Sequence, residues 1–300
     1  KLLYTNISDA WNHPFNQLIR EHKWTANALF QPGKYVAEAG ESYNLDNETA
    51  EMQFDEKHRA NLLVVTKNTE LSLRIMLHVL LGILYSYKGM ENEKCKKCIT
   101  IMDFNSIQKR LHEKENLVAL LADDLSDFVE YYSKERELKK AEPFEPLRKS
   151  IENLYEDYVL RKKTGEYAVR KFLVILELEG TSIWDKRDKI FDDTDVDIQR
   201  LKDLMSDGAN YGIHLLISTS DYELTKFLYG KTYGRNFQYR IAAQIQKEDM
   251  VNLVKEAHGE ELNQNTGVFY DDYCMERQRF RIMELPKKDW IEKFGEALKD

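Results

Sequence analysis

A short polar turn between a predicted strand and a predicted helix is the first place in this sequence where chemistry could take place. Residues 61–66, NLLVVT, are typical of a buried strand, and the apolar spacing from Glu70 to Tyr87 predicts a helix. A strand, a loop and a helix in this order form the phosphate-binding loop of many nucleotide-binding proteins. The turn TKNTELSL, however, contains no glycine and no Gly-Lys-Ser/Thr sequence. The groups that normally hold a triphosphate are therefore missing.

Glu177, near the end of a second predicted strand, is the other candidate for catalysis. The segment 171–180, KFLVILELEG, has the strongest buried-strand pattern in the chain. A carboxylate at that position could act as a general base. The alternative is a structural role, as a cap or an ion pair at the end of the strand. We favour the structural role because a base without an anchored phosphate has no substrate to act on.

The cysteines and the acidic clusters do not predict a metal site. Cys95 and Cys98 form a CxxC sequence, but no second CxxC and no HxxxH completes the four ligands that zinc needs. The acidic segments lack the ligand spacing and the central glycine of a calcium-binding EF-hand. One of them, FDDTDVD, is better interpreted as a loop in which Asp195 caps the next helix. We expect no metal, and the low cysteine content indicates a reducing compartment.

Composition limits the location and the partners of the chain. No apolar run reaches the roughly 18–20 residues that span a bilayer, and the N-terminus has no signal-peptide pattern. We therefore expect a cytoplasmic location, within a full-length protein that could itself be membrane-anchored. The net charge of −8 argues against a domain that grips nucleic acid alone, because such domains usually carry a basic excess. Since the chain starts at Lys1 without a methionine, we expect a fragment of a longer protein.

Strands and helices alternate along most of the sequence. Residues 106–164 are predicted to be mostly helical, and further helices are predicted at 195–211 and in the closing segment KKDWIEKFGEAL. Further strands are predicted at 98–104, 212–220, 238–245, 266–272 and 280–286. Apolar strands separated by helices indicate an α/β fold with a mostly parallel sheet covered by helices on both faces.

Residues 1–58 differ from the rest of the chain. A helix is predicted after Ser8, and polar and apolar residues alternate from 34 to 54 as in short antiparallel strands. We interpret residues 1–58 as an N-terminal segment that packs beside a core domain of residues 59–300.

Four segments, taken in order, carry a resemblance to a known family. They are NLLVV at 61–65, KFLVILELEG at 171–180, MSDGANYGIHLLISTS at 205–220 and NFQYRIA at 236–242. They resemble the P-loop strand, the Walker B strand, the GIHL segment and the Asn-x-x-x-Arg-Ile-Ala strand of FtsK/SpoIIIE-type DNA translocases, the RecA-like motors related to HerA. The resemblance covers roughly residues 36–285 and implies a RecA-like P-loop NTPase fold.

The resemblance also identifies the chain's nucleotide-binding position, which has lost its usual residues. When the turn is aligned with the family's phosphate-binding loop, Ser72 falls at the Lys position and Leu73 at the Ser/Thr position. An alignment shifted by one residue would instead put Leu71 at the Lys position. The degenerate position comprises Thr66, Lys67, Asn68, Thr69, Glu70, Leu71 and Ser72. We expect no cofactor, with ATP and Mg²⁺ binding only if this degenerate site still accepts them.

The other catalytic positions of the family are altered as well. The Asp-Glu pair of Walker B falls on Leu176 and Glu177, and the sensor glutamine falls on Ser220. A leucine cannot hold metal-bound water, so Glu177 is a vestigial catalytic residue. Arg235 and Arg240 are candidates for arginines that act in trans on a neighbour's nucleotide. The alternative for these arginines is an ion pair at the surface or at the rim of the core.

The resemblance implies a catalytically silent motor domain of a larger FtsK/SpoIIIE/HerA-like DNA translocase. Such a domain would act in assembly, regulation or DNA handling, with sister ATPase domains and possibly DNA as its partners. A second possibility is a domain of a type VII-like secretion motor that docks a secreted or adaptor protein, which the acidic charge and the aromatic residues from 222 to 239 suit better. A third is an active ATPase with an unorthodox loop that uses Lys67 and Glu177.

Overall fold

A computed structural model provides the structure of the chain. It describes residues 34–43, 49–56, 59–88, 90, 95–104, 116–133, 145–167, 169–180, 196–220, 222, 236–257, 262 and 264–299. The predicted helix after Ser8, the predicted cap Asp195 and the candidate Arg235 lie outside these residues.

The described residues form ten strands and six α-helices. The strands are β1 (Val36–Ser42), β2 (Thr49–Gln53), β3 (Leu62–Thr66), β4 (Ile99–Asp103), β5 (Val129–Ser133), β6 (Lys171–Leu176), β7 (Ile213–Thr219), β8 (Tyr239–Ala243), β9 (Thr266–Asp271) and β10 (Glu276–Ile282). The helices are α1 (Thr69–Tyr85), α2 (Leu117–Asp124), α3 (Glu145–Thr164), α4 (Val196–Asp207), α5 (Lys247–Val254) and α6 (Lys288–Lys299).

All ten strands belong to one sheet with the order β2-β1-β10-β9-β8-β3-β7-β6-β4-β5. The six strands from β8 to β5 are parallel, and the four from β9 to β2 extend the sheet in antiparallel pairs. The predicted α/β class with a mostly parallel sheet and an antiparallel extension is therefore confirmed. The apolar runs of the inner strands explain the arrangement, because a parallel sheet needs both of its faces covered.

Helices cover both faces, as the alternation along β3 shows. Leu62 and Val64 pack in one core with α1, α2 and α6, whereas Leu63 and Val65 pack in a second core with α3, α4 and α5. All four side chains are fully buried. Successive side chains of a strand point to opposite faces, so a run of apolar residues serves both cores at once.

The sequence interpretation was wrong between residues 125 and 133. This segment was predicted to be helical, but Val129–Ser133 forms strand β5, which pairs in parallel with β4. The segment FVEYY is rich in aromatic and branched side chains, which favour a strand at the edge of a sheet. Pairing with β4 therefore prevails over the weak helical spacing. The last strand also begins earlier than predicted, at Glu276 rather than residue 280.

Strands β1 and β2 precede residue 58 and still belong to the common sheet. β1 pairs with β10 on one side and with β2 on the other, so the predicted antiparallel strands are present. The expected division at residue 58 thus lies between strands of one sheet. Among the described helices, none is both long and apolar enough to cross a membrane.

Candidate functional site

Strands β3, β7 and β6 are parallel neighbours, so their carboxyl ends meet at one edge of the sheet, which we call the carboxyl edge. Val65 pairs with Thr219, and Ile175 pairs with Ile217. The residues that follow these strands therefore lie near one another. In open α/β sheets this edge is where ligands bind. The structure thus places the loop after Thr66, Glu177 and Ser220 at one edge of the sheet.

The loop between β3 and α1 is very short. β3 ends at Thr66 and α1 begins at Thr69, so only Lys67 and Asn68 lie between them. A phosphate-binding loop needs several residues with free backbone N–H groups wrapped around the phosphates. Two residues leave no room for such a cradle.

The N-terminus of α1 is capped by the chain itself. The Asn68 side-chain oxygen accepts hydrogen bonds from the backbone N–H groups of Glu70, at 3.0 Å, and Leu71, at 3.3 Å. The Asn68 backbone oxygen accepts from the Ser72 N–H at 3.1 Å. The Thr66 hydroxyl accepts from the Asn68 N–H at 3.1 Å. Three of the four N–H groups that a helix N-terminus offers to an anion, those of Asn68, Glu70 and Leu71, are therefore already occupied.

The side chains of this loop do not replace the missing phosphate contacts. Leu71 and Ser72 are 3% and 4% exposed and belong to the buried face of α1. Glu70 pairs with Arg74 one turn further along, at 2.5 Å. Lys67 is exposed, and from Thr66 to Ser72 it is the only cationic side chain. A carboxylate in the first turn complements the helix dipole in the way that a bound phosphate would.

Glu177 lies immediately after β6 and is 2% exposed. Its backbone adopts a left-handed conformation with φ 59°, which is uncommon for a residue other than glycine. The Glu177 N–H donates to the Ser218 hydroxyl at 3.1 Å, and the Glu177 carbonyl accepts from the Gly180 N–H at 2.8 Å. Leu176, which the sequence resemblance aligned with a metal-binding Asp, is a core residue.

Glu179 is a carboxylate at this edge that the sequence analysis missed. It accepts hydrogen bonds from the backbone N–H of Ser220, at 3.0 Å, and from the Ser220 hydroxyl. The signal was present in the sequence LELEG, where a second carboxylate follows Glu177 after one residue. Glu179 thus ties the segment after β6 to the end of β7, at the position where the family has its sensor glutamine.

A second polar group closes the carboxyl ends of β4 and β5. The Tyr131 hydroxyl donates to Asp103 at 2.7 Å, and the Asn116 amide donates to the same tyrosine oxygen at 2.8 Å. Burial, followed by the negative charge of Asp103, raises the pKa of Tyr131. A tyrosine that is held protonated is a structural hydrogen-bond donor here, because it cannot serve as a base at neutral pH.

Arg240 is enclosed on β8. It is 3% exposed, and its guanidinium donates to the backbone oxygens of Phe237 and Leu253, each at 3.2 Å, and to the Asp272 carboxylate. The same group lies 5.3 Å from the centre of the Tyr270 ring. These contacts support the interpretation as an ion pair at the rim of the core. A trans-acting arginine needs a guanidinium that reaches a neighbouring subunit.

His214, Cys95 and Cys98 are buried and do not provide a reactive group. The His214 Nδ1 atom lies 2.8 Å from the Ala60 carbonyl, and burial lowers the pKa of His214 to about 3. Cys95 and Cys98 are buried, and burial raises the pKa of Cys98 to about 12. A thiol with such a pKa is a poor nucleophile and metal ligand. In the described part of the chain, no three His, Cys, Asp or Glu side chains gather as a metal site.

Comparison with solved structures reveals the class of fold. The cytoplasmic domain of the Thermomonospora curvata type VII secretion ATPase EccC matches with a TM-score of 0.59 and 13% identity, over 89% of this chain and 31% of that one. TcpA, the conjugation coupling protein of pCW3 in its monomer form with ATPγS, matches with a TM-score of 0.59 and 13% identity, over 89% and 72%. EssC (ATPases 2 and 3) from Geobacillus thermodenitrificans matches with a TM-score of 0.57 and 12% identity, over 91% and 50%.

These likenesses define the chain as having the fold of P-loop ATPase domains. No family model matches the sequence, and no curated protein matches it. The chain spans about 31% of the EccC domain and 50% of the two-ATPase EssC fragment. At 12–13% identity the likeness concerns the fold, so the chemistry has to be argued from this chain's own residues.

Proposed function

We propose that this chain is a catalytically silent ATPase-like domain of a larger motor polypeptide. In this proposal it works in the cytoplasm through contacts with sister ATPase domains, which supply ATP turnover. Residues 59–300 form the ATPase-like unit, and the preceding segment adds strands β1 and β2 to its sheet. Its role lies in assembly, regulation or DNA handling within an FtsK/SpoIIIE/HerA-like motor.

The observation that carries this proposal is the cap on α1. A helix N-terminus binds phosphate because its first N–H groups have no partners within the helix. Here the Asn68 carboxamide occupies two of these groups, those of Glu70 and Leu71, and the Thr66 hydroxyl accepts from a third, the N–H of Asn68. To bind a triphosphate, the chain would have to release these bonds and rebuild a loop that contains no glycine.

The charges at the carboxyl edge support the same conclusion. Glu70, Glu177 and Glu179 are carboxylates at this edge; Glu70 pairs with Arg74 and Glu179 accepts from Ser220, and the cation of the short loop itself is Lys67. A triphosphate would meet repulsion instead of the lysine and the magnesium ion that usually neutralise it. Leu176 provides no oxygen for that magnesium ion.

Calorimetry and a turnover assay test this proposal. Titration of the chain with ATP and Mg²⁺ should give no binding heat, and phosphate release should not exceed that of the buffer. Glu177→Gln should leave both results unchanged. Micromolar binding that is lost in Lys67→Ala, or turnover that is abolished by Glu177→Gln, would show that the edge is an unorthodox active site.

A docking role in a secretion motor is the second candidate, because EccC is a type VII secretion ATPase and this chain shares its fold. The net charge of −8 favours a protein partner over duplex DNA. A salt titration of duplex binding separates the two roles. A DNA-handling domain should bind duplex with an affinity that falls steeply with salt, whereas a docking domain should not bind duplex at low salt.

A further inference from the structure

Strand β10 carries three arginines on one of its faces. Arg277, Arg279 and Arg281 alternate with residues that include Phe280 and Ile282, which are fully buried in the core beneath α1. Because successive side chains of a strand point to opposite faces, the three guanidiniums lie on the other face, with about 6.8 Å along the strand from one to the next. We call these three residues the arginine row. In a chain with a net charge of −8, the row is a local concentration of positive charge.

The arginine row is open to solvent at its outer end. The side chains of Arg277 and Arg279 are 44% and 39% exposed, and that of Arg281 is 24% exposed. The turn before β10 leaves Tyr273 and Met275 exposed at the same end. The guanidiniums of the outer two arginines are therefore accessible to a partner.

The carboxylate beside the outer arginines balances only part of their charge. Arg277 and Arg279 share one carboxylate, that of buried Glu256, and both approach the same oxygen through Nε, at 3.5 Å and 3.2 Å. Arg277 also donates from Nη1 to the carbonyl of Lys255, whose own side chain is exposed. The Nη groups of Arg279 have no hydrogen-bond partner in the part of the chain that the structure describes. Two guanidiniums with one carboxylate leave one positive charge uncompensated.

The inner end of the row is only weakly neutralised. The Arg281 guanidinium lies 3.7 Å from the Glu41 carboxylate on β1, which is too long for a hydrogen bond. Glu41 is 34% exposed, so water and salt screen this pair. The same guanidinium lies 5.7 Å from the centre of the Tyr43 ring. The arginine row as a whole therefore has three cations against two carboxylates.

We propose that the arginine row binds an extended, acidic segment of a partner protein. Carboxylates at alternate positions of an extended peptide are about 6.8 Å apart, as the guanidiniums are, because both chains are strands. The two Nη groups of a guanidinium bind both oxygens of a carboxylate. The net charge of −8 repels the dense negative charge of nucleic acid at long range and so favours a protein segment. The contact belongs to the assembly role proposed above and rests on it.

Short peptides of equal length test the arginine row. The probe is acetyl-Glu-Ala-Glu-Ala-Glu-amide. Its neutral counterpart has glutamine in place of each glutamate, and acetyl-Glu-Glu-Glu-Ala-Ala-amide carries the same charge without the alternation. Saturation-transfer NMR on the whole chain at low salt should show that the probe binds at least about tenfold more tightly than the neutral peptide and about threefold more tightly than the contiguous one. If either of the other peptides binds as tightly as the probe, the proposal is overturned.

Substitutions on β10 locate the binding. Arg279→Gln and Arg277→Gln should each weaken the probe at least about threefold, whereas Lys149→Gln, which removes an exposed cation from α3, should not change it. If Lys149→Gln weakens binding as much as Arg279→Gln does, the attraction is general and the proposal is wrong. Circular dichroism checks the fold. If Arg279→Gln unfolds, unchanged binding in Arg277→Gln, the more exposed position of the two, overturns the proposal.

A single-stranded thymidine oligonucleotide tests the other class of anionic partner. Its binding should be insensitive to Arg279→Gln. If Arg279→Gln weakens the oligonucleotide more than it weakens the probe peptide, the row is a nucleic-acid surface and the proposal is overturned. Nucleotide binding at the carboxyl edge is measured separately. Failure of the peptide to bind would reject only the arginine row, whereas ATP turnover would reject the silent-domain proposal whatever the peptide does.

Discussion

Each edge of the sheet contains an asparagine whose side chain makes several hydrogen bonds, but the two side chains have different effects. At the carboxyl edge, Asn68 turns its amide oxygen onto the first N–H groups of α1 and fills the position that an anion would take. At the opposite edge, where the parallel strands begin and which we call the amino edge, Asn61 turns its amide towards the interior. There it joins three segments of the chain. The first asparagine caps a helix, whereas the second joins three segments in the interior.

The carboxylates differ between the two edges in the same way. Glu177 is 2% exposed, and Glu179 is bound to Ser220. Asp272 is held by Arg240 and still exposes 43% of its side chain. A carboxylate that is fixed from behind and open in front can recognise a partner, since its orientation costs no further entropy on binding. The groups of the expected motif are therefore covered at one edge of the sheet, whereas at the other edge a paired carboxylate stays open to solvent.

The largest expected effect comes from removing the support of the amino edge. Asn61→Ala deletes three hydrogen bonds and leaves their backbone partners buried, so we expect the free energy of unfolding to fall by about 3 kcal/mol. Urea unfolding followed by circular dichroism measures this value. Asn210→Ala, which removes an exposed amide of the same edge, is the control and should change it by less than about 0.5 kcal/mol. Equal losses in both variants would mean that the edge is not built around Asn61.

His214, at the same edge, should make the stability of the fold depend on pH. Burial lowers the pKa of folded His214 to about 3, whereas the unfolded chain should have a pKa of about 6.5. Between these values the unfolded state binds a proton that the folded state does not. Stability should therefore fall as the pH drops below about 6.5, by up to about 1.4 kcal/mol per pH unit from this group.

His214→Gln isolates that contribution. The variant loses the titration, so its stability should vary less steeply than that of the wild type between about pH 6 and pH 4. Thermal unfolding at half-unit steps of pH provides the comparison, and contributions from other groups cancel in the difference. Parallel curves for the two proteins would contradict the assignment of a neutral, buried histidine beside Ala60.

The sequence predicted the inner sheet because its strands are apolar runs that need no context. β3 and β6 consist mostly of buried apolar residues, and β7 contains four buried aliphatic residues, so their type follows from composition. β5 was missed because only its pairing with β4 decides the conformation of the residues FVEYY. Local spacing carries no information about which distant strand offers a free edge.

The candidate sites show the same limit. The loss of the phosphate-binding residues can be seen in the sequence, because a P-loop is one contiguous segment. Asn68 was also a visible signal, since asparagine before a predicted helix favours a cap. A polar cleft of about 540 Å³ at the opposite edge of the sheet has no such signature, because Arg59, Asp207 and Asp272 in its walls come from distant parts of the chain. Residues that converge only through the fold cannot be found by spacing.

At the carboxyl edge, removal of the cap should have a smaller effect than Asn61→Ala has at the amino edge. Asn68→Ala deletes the side chain that holds the N–H groups of Glu70 and Leu71, so the free energy of unfolding should fall by about 1 kcal/mol. Asn68→Gly should cost only a few tenths of a kcal/mol, because glycine leaves these groups open to water. Thermal unfolding measures both values.

The smallest effect should come from Lys67, which sharpens the contrast between the edges. Lys67 is exposed, and if no phosphate is bound beside it, Lys67→Ala should change the free energy of unfolding by less than about 0.5 kcal/mol. Adding ATP and Mg²⁺ should not raise the melting temperature of the wild type, because only a ligand that binds the folded state stabilises it. A rise of the melting temperature that disappears in Lys67→Ala would mean that the carboxyl edge opens for nucleotide despite its cap. The closure attributed to Asn68 would then be reversible.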